Sequence, residues 1–255
     1  MNKKEMRQAQ IVDLLEIKKE VKVDEIASSF NMTEATIRRD LEILEKDGYL
    51  IRTHGGARNL EGETNTAKSF YDRKQYNLEE KLEIVRQVER IIPDDSILTL
   101  DNGTTAWLLA KHLKNKKGLK VITNSVLIME ELYDAKNIEL LVTGGTFRKR
   151  NFDFTGDKTI EFLRSLYSDI AILTCDSYRP SLGFYKLSES SSEIAKAAMD
   201  SAKKVFVLAD HTKVDADGPF KFSDPEAVDA FFTDTSTLAN HKMRLKEEKC
   251  DIYYC

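Results

Sequence analysis

The chain contains little cysteine. Its 255 residues include only three, Cys175, Cys250 and Cys255. The number is odd, and the positions match neither a disulfide framework nor the paired spacing of a zinc site. The sequence therefore predicts a protein of a reducing, cytoplasmic compartment with no metal site, in which Cys175 is a small buried residue of a strand.

Long apolar runs are also missing. No run exceeds five residues, whereas a membrane-spanning helix needs about 20. The polar N-terminus lacks the apolar core of a signal peptide. With 41% hydrophobic and 32% charged residues and a net charge of −4, the composition is that of a globular protein of one or two domains. We expect neither a membrane segment nor a cofactor.

A helix-turn-helix pattern lies near the N-terminus. Ala27 is small enough to let two helices approach, and Asn31 tolerates the left-handed conformation that the turn needs. Thr33 can cap the following helix through its hydroxyl. That helix has one apolar stripe at helical spacing, formed by Ile37, Leu41 and Leu44. The spacing predicts a helix that packs on its neighbour and leaves its other face exposed.

The exposed face of this helix carries Thr36, Arg38 and Arg39. A helix fits the major groove of DNA, where arginine can bridge the O6 and N7 atoms of guanine. We expect one of the two arginines to read a base and the other to hold the backbone. Asp40 would repel phosphate, so we predict an internal ion pair with Arg7 or Arg52.

A hairpin wing is predicted over residues 49–58, and it contains no acidic side chain. Residues 1–58 hold as many acidic as basic residues, so the case for DNA depends on clustering at one surface and not on net charge. A surface helix with a solvated arginine pair is the ordinary alternative. The candidate DNA-binding residues are Thr33, Thr36, Arg38, Arg39, Arg52 and His54.

The remainder of the chain alternates between helices and strands. We predict a winged helix-turn-helix domain at 1–58, a linker at 59–76 whose Phe70 and Tyr71 dock on the larger domain, and an α/β domain at 77–255. Short apolar runs separated by helices predict a mostly parallel sheet covered on both faces. The predicted strands of this sheet cover 97–100, 121–123, 138–142, 170–173, 205–209 and 230–233.

Polar and glycine residues follow several of these strands. Ligands of such sheets bind beyond the carboxyl ends of the strands, where helix N-termini offer free N–H groups to an anion. Strand-to-helix turns favour the same residue types without any ligand, but four such turns and a lysine at one edge favour a pocket for a phosphorylated polyol. The candidate ligand residues are Asp101, Gly103, Thr104, Thr105, Asn124, Ser125, Gly144, Gly145 and Lys213.

These motifs resemble a known family. Arg7, Ile11, Leu15, Thr33 and the run from Thr36 to Leu41 resemble the helix-turn-helix signature of the DeoR/GlpR family of transcriptional regulators, and the Arg-Thr-His-Gly-Gly-Ala wing does too. The resemblance implies a regulator of sugar metabolism, most often a repressor.

The larger domain resembles the sensor domain of the same family. The resemblance rests on Asp-x-Gly-Thr-Thr, Thr-Asn-Ser, Thr-Gly-Gly and Asp-x-x-Lys. It implies a fold similar to the sugar-phosphate isomerases and deaminases, and control by a phosphorylated sugar as effector. The chain departs from the family at 174–177, where it reads Thr-Cys-Asp-Ser, and at Ser192-Glu193.

Two other functions fit parts of the sequence. One is a sugar-phosphate isomerase or deaminase with an added DNA-binding domain, in which Asp101 and Lys213 would serve as base and phosphate anchor. Against it, the four histidines show no catalytic spacing. The other is a structural DNA-binding protein without an effector. Because one recognition helix covers few base pairs, we expect a homodimer or homotetramer, with Leu245–Cys255 in its interface.

Overall fold

A computed structural model describes residues 3–18, 20–46, 50–58, 70–236 and 249–255. The chain forms two compact units, Met1–Ala67 and Lys68–Cys255. None of the helices in the described ranges is both long and apolar enough to cross a membrane.

The N-terminal unit is a winged helix. Its elements are α1 (Lys3–Lys18), β1 (Glu20–Lys22), α2 (Val23–Ser29), α3 (Glu34–Lys46), β2 (Ile51–Thr53) and β3 (Gly56–Arg58). The strands form an antiparallel sheet in the order β1-β3-β2. The two strands of the wing were predicted, but β1, which extends the wing into a sheet, was not.

The helix-turn-helix has the predicted geometry. Asn31 adopts a φ of 50°, in the left-handed region. The Thr33 hydroxyl accepts a hydrogen bond from the Thr36 N–H at 3.3 Å. Ile37 and Leu41 are fully buried with the facing side chains of α1 and α2. The second helix is therefore fixed at its first turn and along one face.

Asp40 forms the internal ion pair expected of it. Its Oδ2 lies 2.7 Å from Arg7 Nε, and Gln8 Nε2 donates to Oδ1 at 3.0 Å. Of the two predicted partners, Arg7 is the one paired. Because Asp40 is only 2% exposed, these bonds clamp α3 to α1 and leave the outer face of α3 free.

The larger unit is built on a seven-stranded parallel sheet. Its strand order is β15-β14-β12-β9-β4-β5-β6. The strands are β4 (Ile97–Leu100), β5 (Leu119–Thr123), β6 (Ile138–Val142), β9 (Ser168–Thr174), β12 (Ala202–Leu208), β14 (Ala230–Thr233) and β15 (Asp251–Tyr254). The six predicted strands are all present, and β15 is an additional edge strand.

Helices cover both faces of this sheet. They are α4 (Phe70–Gln75), α5 (Leu78–Ile91), α6 (Thr104–Leu113), α7 (Val126–Leu132), α8 (Asp157–Arg164) and α9 (Glu189–Asp200). Ile170 and Ile172 of β9 pack with α5, α6 and α7, while Ala171 and Leu173 pack with α9. Successive residues of a strand point to opposite faces. Because helices bury both faces of the sheet, the residues of β9 from Ile170 to Leu173 are apolar whichever face they point to.

Part of the predicted linker is structured. Residues 70–75 form α4, and Phe70 is 2% exposed. Withdrawing such a side chain from water stabilises by about 1.5–3 kcal/mol, which holds a helix too short to persist alone. The docking of Phe70 agrees with the prediction. The Tyr71 side chain and residues 59–69 lie outside the described part, as does the 245–248 portion of the predicted interface.

Two small antiparallel elements were not predicted. The hairpin of β7 (Thr146–Arg148) and β8 (Asp153–Thr155) follows β6. A second sheet, in the order β10-β11-β13, consists of β10 (Ser177–Arg179), β11 (Gly183–Lys186) and β13 (Phe220–Ser223). Their three- and four-residue strands are too short to show a clear alternation of apolar residues. Both elements contribute side chains near the carboxyl ends of the parallel strands.

Candidate functional site

The outer face of α3 presents two exposed arginines. Arg38 Nη2 lies 3.1 Å from Glu34 Oε2, and both side chains are about half exposed. Arg39 has no hydrogen-bond or ion-pair partner within the described residues. Near the start of the helix, the hydroxyls of Thr33 and Thr36 lie 2.9 Å apart. Hydroxyl donors and an unpaired guanidinium therefore share one solvent-facing surface.

The wing is fixed by backbone contacts. A Cβ added to Gly56 would lie 2.1 Å from the Val21 carbonyl oxygen, so the close approach of β3 to β1 requires glycine there. The Arg52 N–H donates to Glu45 Oε1 at 3.0 Å and joins the wing to α3. Arg52 and His54 are both exposed. The six predicted DNA-binding residues thus lie in or beside α3 and in the wing of one unit.

All nine predicted ligand residues lie at the carboxyl edge of the parallel sheet. In their order across the sheet, the strands whose following residues form this edge are β12, β9, β4, β5 and β6. With strands about 4.8 Å apart, the ends of β12 and β4 are separated by roughly 10 Å, and those of β12 and β6 by roughly 19 Å. One monosaccharide phosphate fits the first span better than the second.

Asp101 is buried in an ion pair. Its Oδ2 lies 2.6 Å from Lys186 Nζ and accepts hydrogen bonds from the Thr174 N–H and hydroxyl at 3.0 and 2.8 Å. Burial opposes ionisation of Asp101, but the Lys186 charge and these bonds outweigh it and keep the Asp101 pKa below its ordinary value. Burial likewise opposes the charge of Lys186, yet Asp101 and Asp176 raise its pKa. The Asp101 carboxylate is thus already paired with groups of the protein itself.

The turn after Asp101 brings two hydroxyls to the edge. A Cβ on Gly103 would lie 2.3 Å from the Thr174 side chain, so glycine is needed for close packing at this point. Thr104 and Thr105 begin α6, and each is more than 90% buried. Neither hydroxyl has a hydrogen-bond partner among the residues described here. These hydroxyls remain available to a ligand.

Asn124 and Ser125 are engaged in local structure. Asn124 Nδ2 donates to the Phe154 carbonyl oxygen of β8 at 2.9 Å. The Ser125 hydroxyl accepts from the Ile128 N–H at 3.3 Å and caps α7. These bonds join the β7–β8 hairpin and the start of α7 to the end of β5. A contact of either side chain with a ligand stays a prediction.

Gly144 and Gly145 form the turn from β6 into the hairpin, with φ values of 65° and 118°. A Cβ on Gly145 would lie 2.3 Å from Thr159 Oγ1, whereas nothing lies within 4 Å of one built on Gly144. The Thr159 hydroxyl donates to the Gly144 carbonyl oxygen at 2.8 Å. The backbone conformation explains both glycines, and the packing against α8 explains Gly145 further, before any ligand is considered.

Lys213 lies in a 3-10 turn, His211–Lys213, that begins three residues after the last residue of β12. The Asp210 carboxylate accepts from the Thr212 N–H at 3.1 Å and caps this turn. His211 Nδ1 lies 3.0 Å from the buried Asp234 carboxylate. Lys213 is half-buried, and its side chain has no hydrogen-bond or ion-pair partner in the described ranges. Among the described residues, it is therefore a cation at the edge that no carboxylate pairs.

Sequence reasoning missed the polar groups that organise this edge. Arg148 donates to Asp153 through Nε at 2.8 Å and through Nη1 and Nη2 to three serines at the start of α9, Ser188, Ser190 and Ser191. Asp153, 1% exposed, also accepts from Asn102 Nδ2. The serines at the start of α9 were visible in the sequence, but nothing local linked them to an arginine forty residues earlier.

Two further features concern the cysteine and the metal-ligating side chains. Burial raises the pKa of the Cys175 thiol to about 12, so this cysteine is a packed thiol and not a nucleophile. Among the described residues, no group of three or more His, Cys, Asp or Glu side chains could hold a metal ion.

Comparison with known proteins agrees with this architecture. Residues 7–63 match the DeoR-like helix-turn-helix domain, and residues 76–235 match the DeoR C terminal sensor domain. The chain is 33% identical over 244 residues to the lactose phosphotransferase system repressor of Lactococcus lactis subsp. lactis, covering 94% of each chain. It is 30% identical over 246 residues to the transcriptional repressor CsqR of Escherichia coli, covering 96% of this chain and 94% of that one.

The solved structures that resemble it include ribose 5-phosphate isomerase A from Methanocaldococcus jannaschii. That likeness has a TM-score of 0.41, 19% identity and coverage of 54% of this chain and 55% of the isomerase. The curated relatives are repressors and not enzymes, which decides against the isomerase or deaminase alternative. The chain belongs to the DeoR family of transcriptional regulators, with a helix-turn-helix domain followed by a sensor domain.

Proposed function

We propose that this protein represses an operon for carbohydrate use and that a phosphorylated sugar, bound at the carboxyl edge of its sensor domain, controls it. The observation that carries the proposal is Lys213, half-buried and with no side-chain partner in the described part of the chain, beside the sheet edge that holds Thr104 and Thr105. The L. lactis relative is named for a lactose phosphotransferase system, which supports a carbohydrate pathway.

In this proposal α3 enters the major groove of the operator. The Arg39 side chain has no partner among the described residues and is the first candidate for a bidentate bond to guanine, and Arg38 holds the backbone. Thr33 and Thr36 add hydroxyl contacts near the start of the helix. Arg52 and His54 of the wing contact the DNA backbone or the minor groove.

The effector's phosphate lies between Lys213 and the first turn of α6. A lysine ammonium suits phosphate as a point charge, and the free N–H groups at the start of the ten-residue α6 favour an anion. The spacing of roughly 10 Å between the two strand ends leaves room for a sugar phosphate between them. Gly144 and Gly145 lie farther along the edge, where only a longer ligand would reach them.

Lys213→Ala should abolish the effect of the sugar phosphate on DNA binding and leave the affinity for DNA itself nearly unchanged. The variant removes the countercharge of the phosphate and no DNA-contacting group. Coupling between such sites is typically about 1–3 kcal/mol, or roughly 5–150-fold in affinity. The measurement is a titration of operator DNA with glycerol 3-phosphate, glucose 6-phosphate, ribose 5-phosphate and their unphosphorylated parents.

Lys203→Ala is the matched control, because Lys203 is an exposed lysine near the start of the same strand, β12. It should respond like the wild type. If no phosphorylated compound shifts the DNA-binding curve, or if Lys213→Ala responds like Lys203→Ala, the effector site is wrongly placed.

We also propose that the protein acts as a homodimer or homotetramer. Two recognition helices are needed to read two half-sites. The edge strand β15 carries Tyr253 and Tyr254, 41% and 37% exposed, and is a candidate part of the interface. Light scattering at micromolar concentration, with and without DNA, should give a mass of at least two chains, and a monomer in both conditions would contradict the proposal.

A further inference from the structure

The turn between α4 and α5 is tied to the turn that carries Lys213. Asn77 adopts a left-handed conformation, with φ 51° and ψ 45°, and its amide Nδ2 donates to Asp210 Oδ1 at 3.0 Å. Asp210 is 2% exposed, and the same oxygen accepts from the Thr212 N–H at 3.1 Å. One buried carboxylate therefore fixes both turns, although 133 residues separate Asn77 from Asp210.

Lys81 of α5 bonds the C-terminal end of α4. It is 4% exposed, and its Nζ donates to the carbonyl oxygens of Arg73 at 2.6 Å and Tyr76 at 2.5 Å. Carbonyl groups at a helix C-terminus lack partners within the helix, so this ammonium stabilises the last turn of α4. Lys81 thus connects α4 to α5 through its charge.

The charge of Lys81 responds to the Lys213 turn. Burial lowers the pKa of Lys81 to about 8, Asp210 acts against that shift, and Lys213 adds to it. An anion that neutralised Lys213 would remove this repulsion and strengthen the charged form of Lys81. Binding of an anion at the edge would then strengthen the hydrogen bonds of Lys81 to the carbonyl groups at the end of α4.

The face of α4 also contacts α6. Phe70 meets the Trp107 ring edge-on, with ring centroids 6.0 Å apart, and Lys74 Nζ lies 4.2 Å from the centre of the Trp107 ring. Trp107 lies one turn after the threonines that begin α6. Helix α4 therefore contacts α6, and the turn that follows α4 contacts the Lys213 turn through Asn77. It is the first described element after the segment that leads from the N-terminal unit.

We propose that Asn77 and Lys81 are positioning residues that join the Lys213 turn to α4. Through them, the effect of an anion bound at Lys213 reaches the start of the sensor domain. The inference rests on the proposed effector site. It adds residues that do not touch the ligand and through which the ligand's effect passes.

Asn77→Gly tests this inference directly. Glycine tolerates the left-handed conformation and removes only the amide that bonds Asp210, so the variant should fold. Trp107 is the only tryptophan of the chain, and its emission reports the contact between α4 and α6. The full-length protein is titrated with the sugar phosphate that shifts wild-type DNA binding, followed by calorimetry, Trp107 emission and operator affinity.

In Asn77→Gly we expect binding of the sugar phosphate within roughly threefold of the wild type, while the 5–150-fold effect on DNA affinity falls below about twofold and the emission change is lost. Asn77→Asp places a second carboxylate against Asp210. This variant should lose binding of the sugar phosphate in addition to the effect on DNA affinity. Asp95→Gly, at another left-handed position, φ 60°, before β4 at the opposite edge, is the matched control and should behave like the wild type.

The outcomes separate the two proposals. If the wild type binds no sugar phosphate, the proposed function fails and this inference fails with it. If the wild type responds and Asn77→Gly keeps both the emission change and the DNA response, the effector site stands and the positioning role is wrong.

Discussion

Replacing both Arg38 and Arg39 with alanine is expected to remove sequence-specific DNA binding. A bidentate contact with a base is worth about 1–3 kcal/mol, so loss of the base-reading arginine alone should cost roughly 5–150-fold in affinity for the operator, and the double variant should lose more. Of the single variants, Arg39→Ala should lose more base preference, because Arg38 is already shared with Glu34 at 3.1 Å. The measurement is a DNA titration at matched salt against operator and random duplex.

Arg52→Ala is the contrasting variant for this experiment. A wing contact with phosphate carries no base information. Its loss should weaken binding to all duplexes alike and reduce the salt slope by about one. Equal affinity of the double variant and the wild type for operator would exclude α3 as the recognition helix, and a changed base preference in Arg52→Ala would contradict the assignment of the wing.

Lys186→Met is expected to destabilise the sensor domain by about 3–5 kcal/mol, the range for breaking a buried ion pair by removal of one partner. It leaves the Asp101 carboxylate, 8% exposed, without its countercharge. Unfolding followed by Trp107 emission measures the effect, because this tryptophan belongs to the sensor domain.

The dependence on pH should change sign between wild type and variant. In the wild type the Asp101 pKa lies below its ordinary value of 3.8, so its contribution to stability is present above that value and is lost as pH falls through the lowered pKa. In Lys186→Met, the two hydrogen bonds from Thr174 remain but the Lys186 charge is gone, so burial, the largest influence on Asp101, raises its pKa. That variant should therefore gain stability as the pH is lowered from 7 towards 5.

The double variant Asp101→Asn, Lys186→Met is the control, because it removes both charges. It should recover much of the lost stability, since replacing a whole buried ion pair with neutral groups is often nearly neutral. A Lys186→Met protein as stable as the wild type at pH 7, or one that loses stability towards pH 5, would show that the pair does not bear on folding.

Several features were predicted from sequence because their causes are local. The helix-turn-helix depends on Asn31 in the turn, Thr33 as cap and an apolar stripe at helical spacing, all within one short segment. The alternation of strands and helices is likewise set by neighbouring residues. Once the sheet was predicted to be parallel, the gathering of Asp101, Asn124, Gly144 and Lys213 at one edge followed, because parallel strands point their carboxyl ends the same way.

The tertiary structure alone decided which of those side chains are free. Asp101 pairs with Lys186, 85 residues away, and Asn124 bonds the hairpin strand β8, while Lys213 is left without a partner in the described residues. Such pairings depend on strand order and on where short antiparallel segments return to the sheet, and neither leaves a periodic pattern in the sequence. The sequence by itself determined the winged helix, the parallel sheet and the edge where a ligand would bind. Folding decided which charges at that edge are neutralised by distant residues, because a buried charge is stable only beside whichever partner the fold brings to it.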